Sequence, residues 1–339
     1  MILLRAVPPE LVHGVASGLY KVTGSVVRDV ASGRGVGFLQ ETGMLQTILS
    51  SVMNSGGNPV VGFANLGLGA ASVIQNQQIK SRLAEIQSSL VMLQNLQLGT
   101  LAVGGLGLGV SVVGFSIMLK RLKGIEAHLG SIEAKIANVT SDRRAADVRM
   151  IFADVGTQLD TVDTLSARSN KVSSAEAAEQ TLAISAGRLE VHFQQKSDSM
   201  QKGAITAADL DLLWSLAAAI RLCHEAGLRA LFTIDELEAA KQLAERRAQR
   251  FLDLSQSLTP DALARLCSQR APDTISYAEA RRLALPQAEV LVQGLRDSVA
   301  AISSQSELAQ NLIKNQISGP AYLKDLESEK EEPLLILPA

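Results

Sequence analysis

His224-Glu225 is the first pair in this chain whose residue types suggest chemistry, because a histidine beside a glutamate on a helix can begin a zinc-hydrolase motif. The motif HExxH needs a second histidine one turn on, and Leu228 stands there, so the pair is expected to be a helical surface pair. Asp209 and Asp211, and likewise Glu236 and Glu238, are two residues apart in helical sequence and point away from each other, which makes them poor acid-base partners. Ser173-Ser174 lacks the setting of a nucleophile elbow. Gly105-Leu106-Gly107-Leu108-Gly109 has neither the GxGxxG spacing nor a Walker lysine after it, so it does not read as a phosphate loop. Cys223 and Cys267 both lie in helical patterns as buried free thiols, and His13, His128, His192 and His224 are too scattered to share a metal. The expectation is a protein that is not an enzyme and carries no cofactor.

Composition points elsewhere. The net charge of -2 argues against nucleic acid as a partner. Aromatics are only 3% of the chain while glycines number 26, so the apolar surface comes from aliphatic and small residues that let helices pack closely. Met1-Ile2-Leu3-Leu4 is followed by Arg5 and Pro8-Pro9, too short an apolar run for a signal peptide. The expected localisation is cytoplasmic synthesis with membrane association.

The stretch that carries this expectation is LGTLAVGGLGLGVSVVGFSIML, residues 98–119, which contains 22 residues and no charge. As a helix it would extend about 33 Å at 1.5 Å per residue, enough for a hydrocarbon core of about 30 Å. Its candidate membrane-inserting side chains are Leu98, Leu101, Val103, Leu106, Leu108, Val110, Val112, Val113, Phe115, Ile117 and Leu119. Lys120, Arg121 and Lys123 flank it and would favour the cytoplasmic side. A shorter apolar run, residues 60–74, suits an interface, a hairpin or a buried position. The competing reading of 98–119 is the central helix of a soluble bundle, although it lacks the wet face such helices usually show.

Heptad seams lie on both sides. Ile79, Leu83, Ile86, Leu90 and Leu93 alternate steps of four and three before the segment, and Leu122, Ile125, Leu129, Ile132 and Ile136 follow it. They predict a long antiparallel coiled-coil hairpin, and an apolar stripe at Val148, Phe152, Val155, Leu159 and Val162 extends the second arm. Residues 172–202 form a further predicted helix, and capping signals at Thr206/Asp209, Thr233/Glu236, Thr259-Pro260, Ser276/Glu279 and Pro286 mark the starts of others. Arg246-Arg247 and Arg250 read as a solvated basic face, diluted by Asp235, Glu236, Glu238 and Glu245. Residues 19–41 predict a hairpin of two strands about Ser32-Gly33-Arg34-Gly35.

The fold class is therefore mainly α: an elongated helical bundle with the coiled-coil hairpin, the Gly-rich membrane-competent segment and a small N-terminal β-hairpin. The expected divisions are 1–43 for the β element, 44–165 for the apolar segments and coiled coil, 172–323 for a helical bundle and 324–339 for a flexible acidic tail. This combination of shaft, apolar tip and small β element over residues 42–162 resembles the α-helical pore-forming cytolysins of the haemolysin-E-like group. It differs in placing its strands before the apolar segments. The resemblance implies a helical bundle whose hydrophobic hairpin enters a membrane on oligomerisation. The expected partners are a lipid bilayer, further copies of the chain and an unidentified protein. A membrane-anchored coiled-coil scaffold or signalling protein and a soluble helical interaction module are the alternatives.

Overall fold

The computed structural model describes residues 4–44, 130, 139–201, 205–269, 275–332 and 334–339. They form a mainly helical fold with a small antiparallel sheet. The elements in chain order are β1 (Arg5–Ala6), α1 (Pro9–Ala16), β2 (Tyr20–Thr23), β3 (Val26–Asp29), β4 (Gly35–Glu41), α2 (Val139–Asp163), α3 (Lys171–Gln201), α4 (Ala207–Thr233), α5 (Leu237–Ser255), α6 (Pro260–Ser268), α7 (Tyr277–Lys314), α8 (Gly319–Ser328) and β5 (Leu334–Pro338). A short 3-10 turn, Leu165–Ala167, joins α2 to α3.

Helix α4 is apolar almost all round and sits at the centre, as a helix without a wet face must. The stripe Val148, Phe152, Val155, Leu159 and Val162 of α2 is buried and shares one core with α3 residues Leu182, Leu189 and Phe193 and with α4. Each of these larger side chains stabilises the fold by about 1.5–3 kcal/mol through removal from water. The reciprocal cap opening α4 forms as its residues predict: Asp209 N–H donates to Thr206 Oγ1 at 3.3 Å and Thr206 N–H donates to Asp209 Oδ2 at 2.8 Å. Thr259 and Ser276 likewise cap α6 and α7.

Two helix starts differ. Thr233 does not cap α5; its hydroxyl donates to the Arg229 carbonyl at 2.8 Å, Asp235 takes a positive φ of 65°, and α5 starts at Leu237. Pro286 does not open a helix but lies inside α7, which runs unbroken from Tyr277 to Lys314. An interior proline costs about 3 kcal/mol. Burial of Ala288, Leu291, Val292 and Leu295 just beyond it offsets that cost.

Residues 19–41 hold three strands where two were expected, with the first turn at Gly24. Gly24 has φ +61°, and a Cβ there would meet the Ala300 carbonyl oxygen at 2.5 Å, so turn and helix contact both demand glycine. The larger correction concerns 324–339, expected as a flexible tail. Residues to Ser328 belong to α8, and Leu334–Pro338 is β5, an inner strand between β1 and β4 in the order β1-β5-β4-β3-β2. Phe38 pairs with Leu337 and Glu41 with Leu334 on one side of β5, and Arg5 pairs with Ile336 on the other. Four apolar residues in succession suit a strand buried on both faces, and Leu334, Leu335, Ile336 and Leu337 are all buried. The sheet does not pack as an element apart: Val26, Phe38, Leu335 and Leu337 share a core with Phe232 of α4, Leu308 and Leu312 of α7, and Tyr322 of α8.

Candidate functional site

A set of charged side chains meets where α3, α4 and α5 come together; His224, Glu190 and Arg247 are buried, Glu179 is half-buried and Arg250 lies exposed at the rim. Glu179 and Glu190 are three helical turns apart on one face of α3. Opposite them, α5 presents Arg247 and Arg250, and α4 presents His224. Arg247 pairs with Glu179 through Nη2 and donates from Nη1 to the His224 carbonyl at 3.5 Å. Arg250 pairs with Glu190. Nε2 of His224 stands 3.6 Å from Oε1 of Glu190, outside hydrogen-bond reach, and neither ring nitrogen has a hydrogen-bond partner among the described residues. One turn along α4, Nε of Arg221 donates to Oε1 of Glu225 at 2.7 Å.

Gly227 makes room for Arg247, whereas Gly187 leaves ordinary contact distance to Arg250. A Cβ on Gly227 would approach Nη1 of Arg247 to 3.2 Å, and one on Gly187 would lie 3.8 Å from Nη2 of Arg250. His224 and Glu190 are each only 4% exposed and Arg247 6%, so the expected surface pair His224-Glu225 is corrected, as is the solvated face at Arg247, although Arg246 and Arg250 on that face are exposed. The reason is shared: α4 is enclosed on every side, and whatever it carries at 221–225 is enclosed with it. Burial holds the His224 imidazole below its ordinary pKa; the Glu190 carboxylate opposes this, and Arg247 and Arg250 reinforce it. Burial also raises the neighbouring Cys223 thiol to about 12, so it is protonated near neutrality and a poor nucleophile. Cys267, also a free thiol, is raised to about 11 by burial. The arrangement can hold charge apart from water and respond to a proton; it does not present a nucleophile.

The remaining polar candidates have structural partners. Asp209, besides capping α4, pairs with Lys196 of α3. Asp211 accepts from Nε2 of Gln287 at 2.9 Å. Nε2 of His192 lies 2.7 Å from Oδ2 of Asp147, and Nη2 of Arg188 donates to Oδ1 of the same carboxylate at 2.6 Å, which ties α3 to α2. That bond to His192 and the Arg188 pair hold the Asp147 carboxyl below its usual range.

A second feature lies where the chain leaves β4. The Thr42 hydroxyl donates to the Glu332 carbonyl, and the Met44 N–H donates to the Glu329 carbonyl at 2.9 Å. Between them, a Cβ on Gly43 would meet the Glu327 carbonyl oxygen at 2.3 Å, so the chain can pass this close to α8 only as glycine. Nearby, the Tyr322 hydroxyl donates to Oε1 of Gln40, and the buried Arg229 pairs with Glu327. The path towards the apolar segments thus starts from a point fastened to α8 and to the approach to β5. The segment 98–119 with its inserting side chains, the basic residues Lys120, Arg121 and Lys123, both heptad seams and the run 60–74 lie outside the described residues.

Among the described residues no helix is long and apolar enough to cross a membrane, and no group of three or more His, Cys, Asp or Glu side chains is placed to hold a metal. Comparisons with protein-family models, with curated proteins and with solved structures found no match to this chain.

Proposed function

We propose that this chain is a membrane-inserting, self-associating helical protein that permeabilises a bilayer, with residues 98–119 as the segment that enters lipid. The observation that carries the reading is the segment's sequence: 22 residues without a charge, matched in length to a hydrocarbon core and ended by Lys120, Arg121 and Lys123. Its six glycines, Gly99, Gly104, Gly105, Gly107, Gly109 and Gly114, each lower helix stability in water by up to about 1 kcal/mol and offer close-packing faces in lipid. The clamp at Thr42–Met44 supports the reading, because an inserting segment needs a fixed point on its scaffold. Self-association follows from geometry: a single apolar hairpin encloses no aqueous path, whereas a ring of copies does.

Flotation on liposomes together with dye release, comparing the native chain with Val110→Asp, tests the proposal. A mid-membrane aspartate costs about 2.5–3.5 kcal/mol on insertion scales, so both flotation and leakage should be lost. Flotation without leakage would replace the pore by a membrane-anchored scaffold. Failure of the folded native chain to float would reject the membrane reading.

A further inference from the structure

The buried cluster at α3, α4 and α5 is balanced in charge only while His224 is neutral. Two carboxylates, Glu179 and Glu190, face two guanidinium groups, Arg247 and Arg250, and each is already matched to one of them. On α4, Arg221 pairs with Glu225 and also acts on Asp297 of α7. A proton on His224 would add a second buried positive charge beside Arg247, facing the buried Glu190, whose partner Arg250 reaches in from the exposed rim. The carboxylate that stands nearest the ring among the described residues, Glu190, already pairs with Arg250.

We infer that this cluster is an acid-operated release: protonation of His224 loosens the seat of α3 on α4 and α5. Helix α3 is joined by the short 3-10 turn to α2, whose stripe packs into the same core. Helix α2 begins at Val139, in sequence the first described helix after the apolar segment apart from Gly130. Loosening α3 therefore frees the arm that leads to residues 98–119. Release is a property of the scaffold; its use as the trigger for insertion rests on the membrane reading above.

The direction of the pH dependence follows from linkage. The imidazole has a lower pKa in the folded state than its ordinary value of about 6.5, so above that pH both states are neutral and the histidine contributes no pH dependence. As pH falls below about 6.5 the opened state takes up the proton first, and opening becomes easier. For each unit of separation between the two values the opening equilibrium rises about tenfold. Carboxylates ordinarily titrate near pH 4, below the window in question.

Hydrogen exchange on the full chain between pH 7.5 and 5.5, corrected for intrinsic exchange, reads the release directly. Amides of 182–193 in α3 and 216–228 in α4 are expected to lose protection by up to about tenfold in the native chain, the ceiling for one imidazole over this interval. His224→Gln, which cannot titrate, should be flat. His192→Gln removes the other imidazole on this side of the bundle, the one bonded to Asp147, and should keep the acid step. An acid step of equal size in His224→Gln would overturn the proposal. Should that variant fold poorly, NMR of the labelled imidazole in the native chain decides: a ring that titrates freely near pH 6.5 with no change in helix protection overturns it as well. Dye release at the two pH values separates the two ideas. Acid-dependent exchange without leakage leaves the release standing and counts against the membrane reading, whereas leakage at both pH values with flat exchange sinks the release alone.

Discussion

At its middle α4 meets α3 and α5 through titratable pairs, Arg247 with Glu179 and Arg250 with Glu190 beside His224. At its C-terminal end the same helix meets α8 and the core beneath the sheet through apolar packing. Around that end the buried contacts are mostly neutral: Tyr322 to Gln40, and Ser25 to Ser304 at 3.0 Å, with Arg229–Glu327 as the ion pair. His224, Glu190 and Arg247 in the first region and Tyr322 and Gln40 in the second are buried, and it is the first that holds a histidine, whose charge changes in the range where an imidazole titrates. A neutral hydrogen bond keeps its value across that range, so one end of the molecule is built to stay shut and the other to respond.

Removing one partner of a buried ion pair should give the largest effect. Glu179→Ala leaves Arg247 buried and unpaired and should destabilise the chain by about 3–5 kcal/mol. Pairing it with Arg247→Met should restore most of the loss, which a denaturant midpoint can check. In the sheet, Leu337→Ala should cost about 2–5 kcal/mol, because β5 is a central strand with buried side chains. A loss below about 0.5 kcal/mol would mean that 334–338 does not occupy that place in solution. Tyr322→Phe, which leaves Gln40 without its donor, should cost about 1–3 kcal/mol. That loss should be equal at pH 7.5 and pH 5.5, and a strong pH dependence would erase the contrast between the regions. Thr206→Ala should cost about 1 kcal/mol through loss of the α4 cap, read as a lowered thermal midpoint.

The local signals were legible. Stripes at three- and four-residue steps predicted the buried face of α2, and Ser276 and Thr206 sit at their caps because a cap is formed by residues three apart. The Thr233/Glu236 signal misled because it is the same kind of pattern placed where Thr233 already bonds back into its own helix. Pro286 misled because a proline's local cost was set against packing that lies elsewhere in the chain. His224 was misplaced by its neighbours in sequence: the charged residues beside it suggest a wet face, but Arg221 and Glu225 pair with each other within α4 and the ring faces Glu190 of α3.

By itself the sequence determined the helical class, the extent of α3, the caps of α4, α6 and α7 and the presence of one long uncharged segment, since each depends on periodicity, caps or length within a continuous stretch. Tertiary structure alone decided that 334–338 completes the sheet begun by residues 5–41, and that Glu179 and Arg247 share a buried interface. Those outcomes depend on contacts between distant stretches. Hydrophobic runs state that they must be covered and charges that they must be paired, but neither states with what; the partner follows only when the helices and strands close around one core.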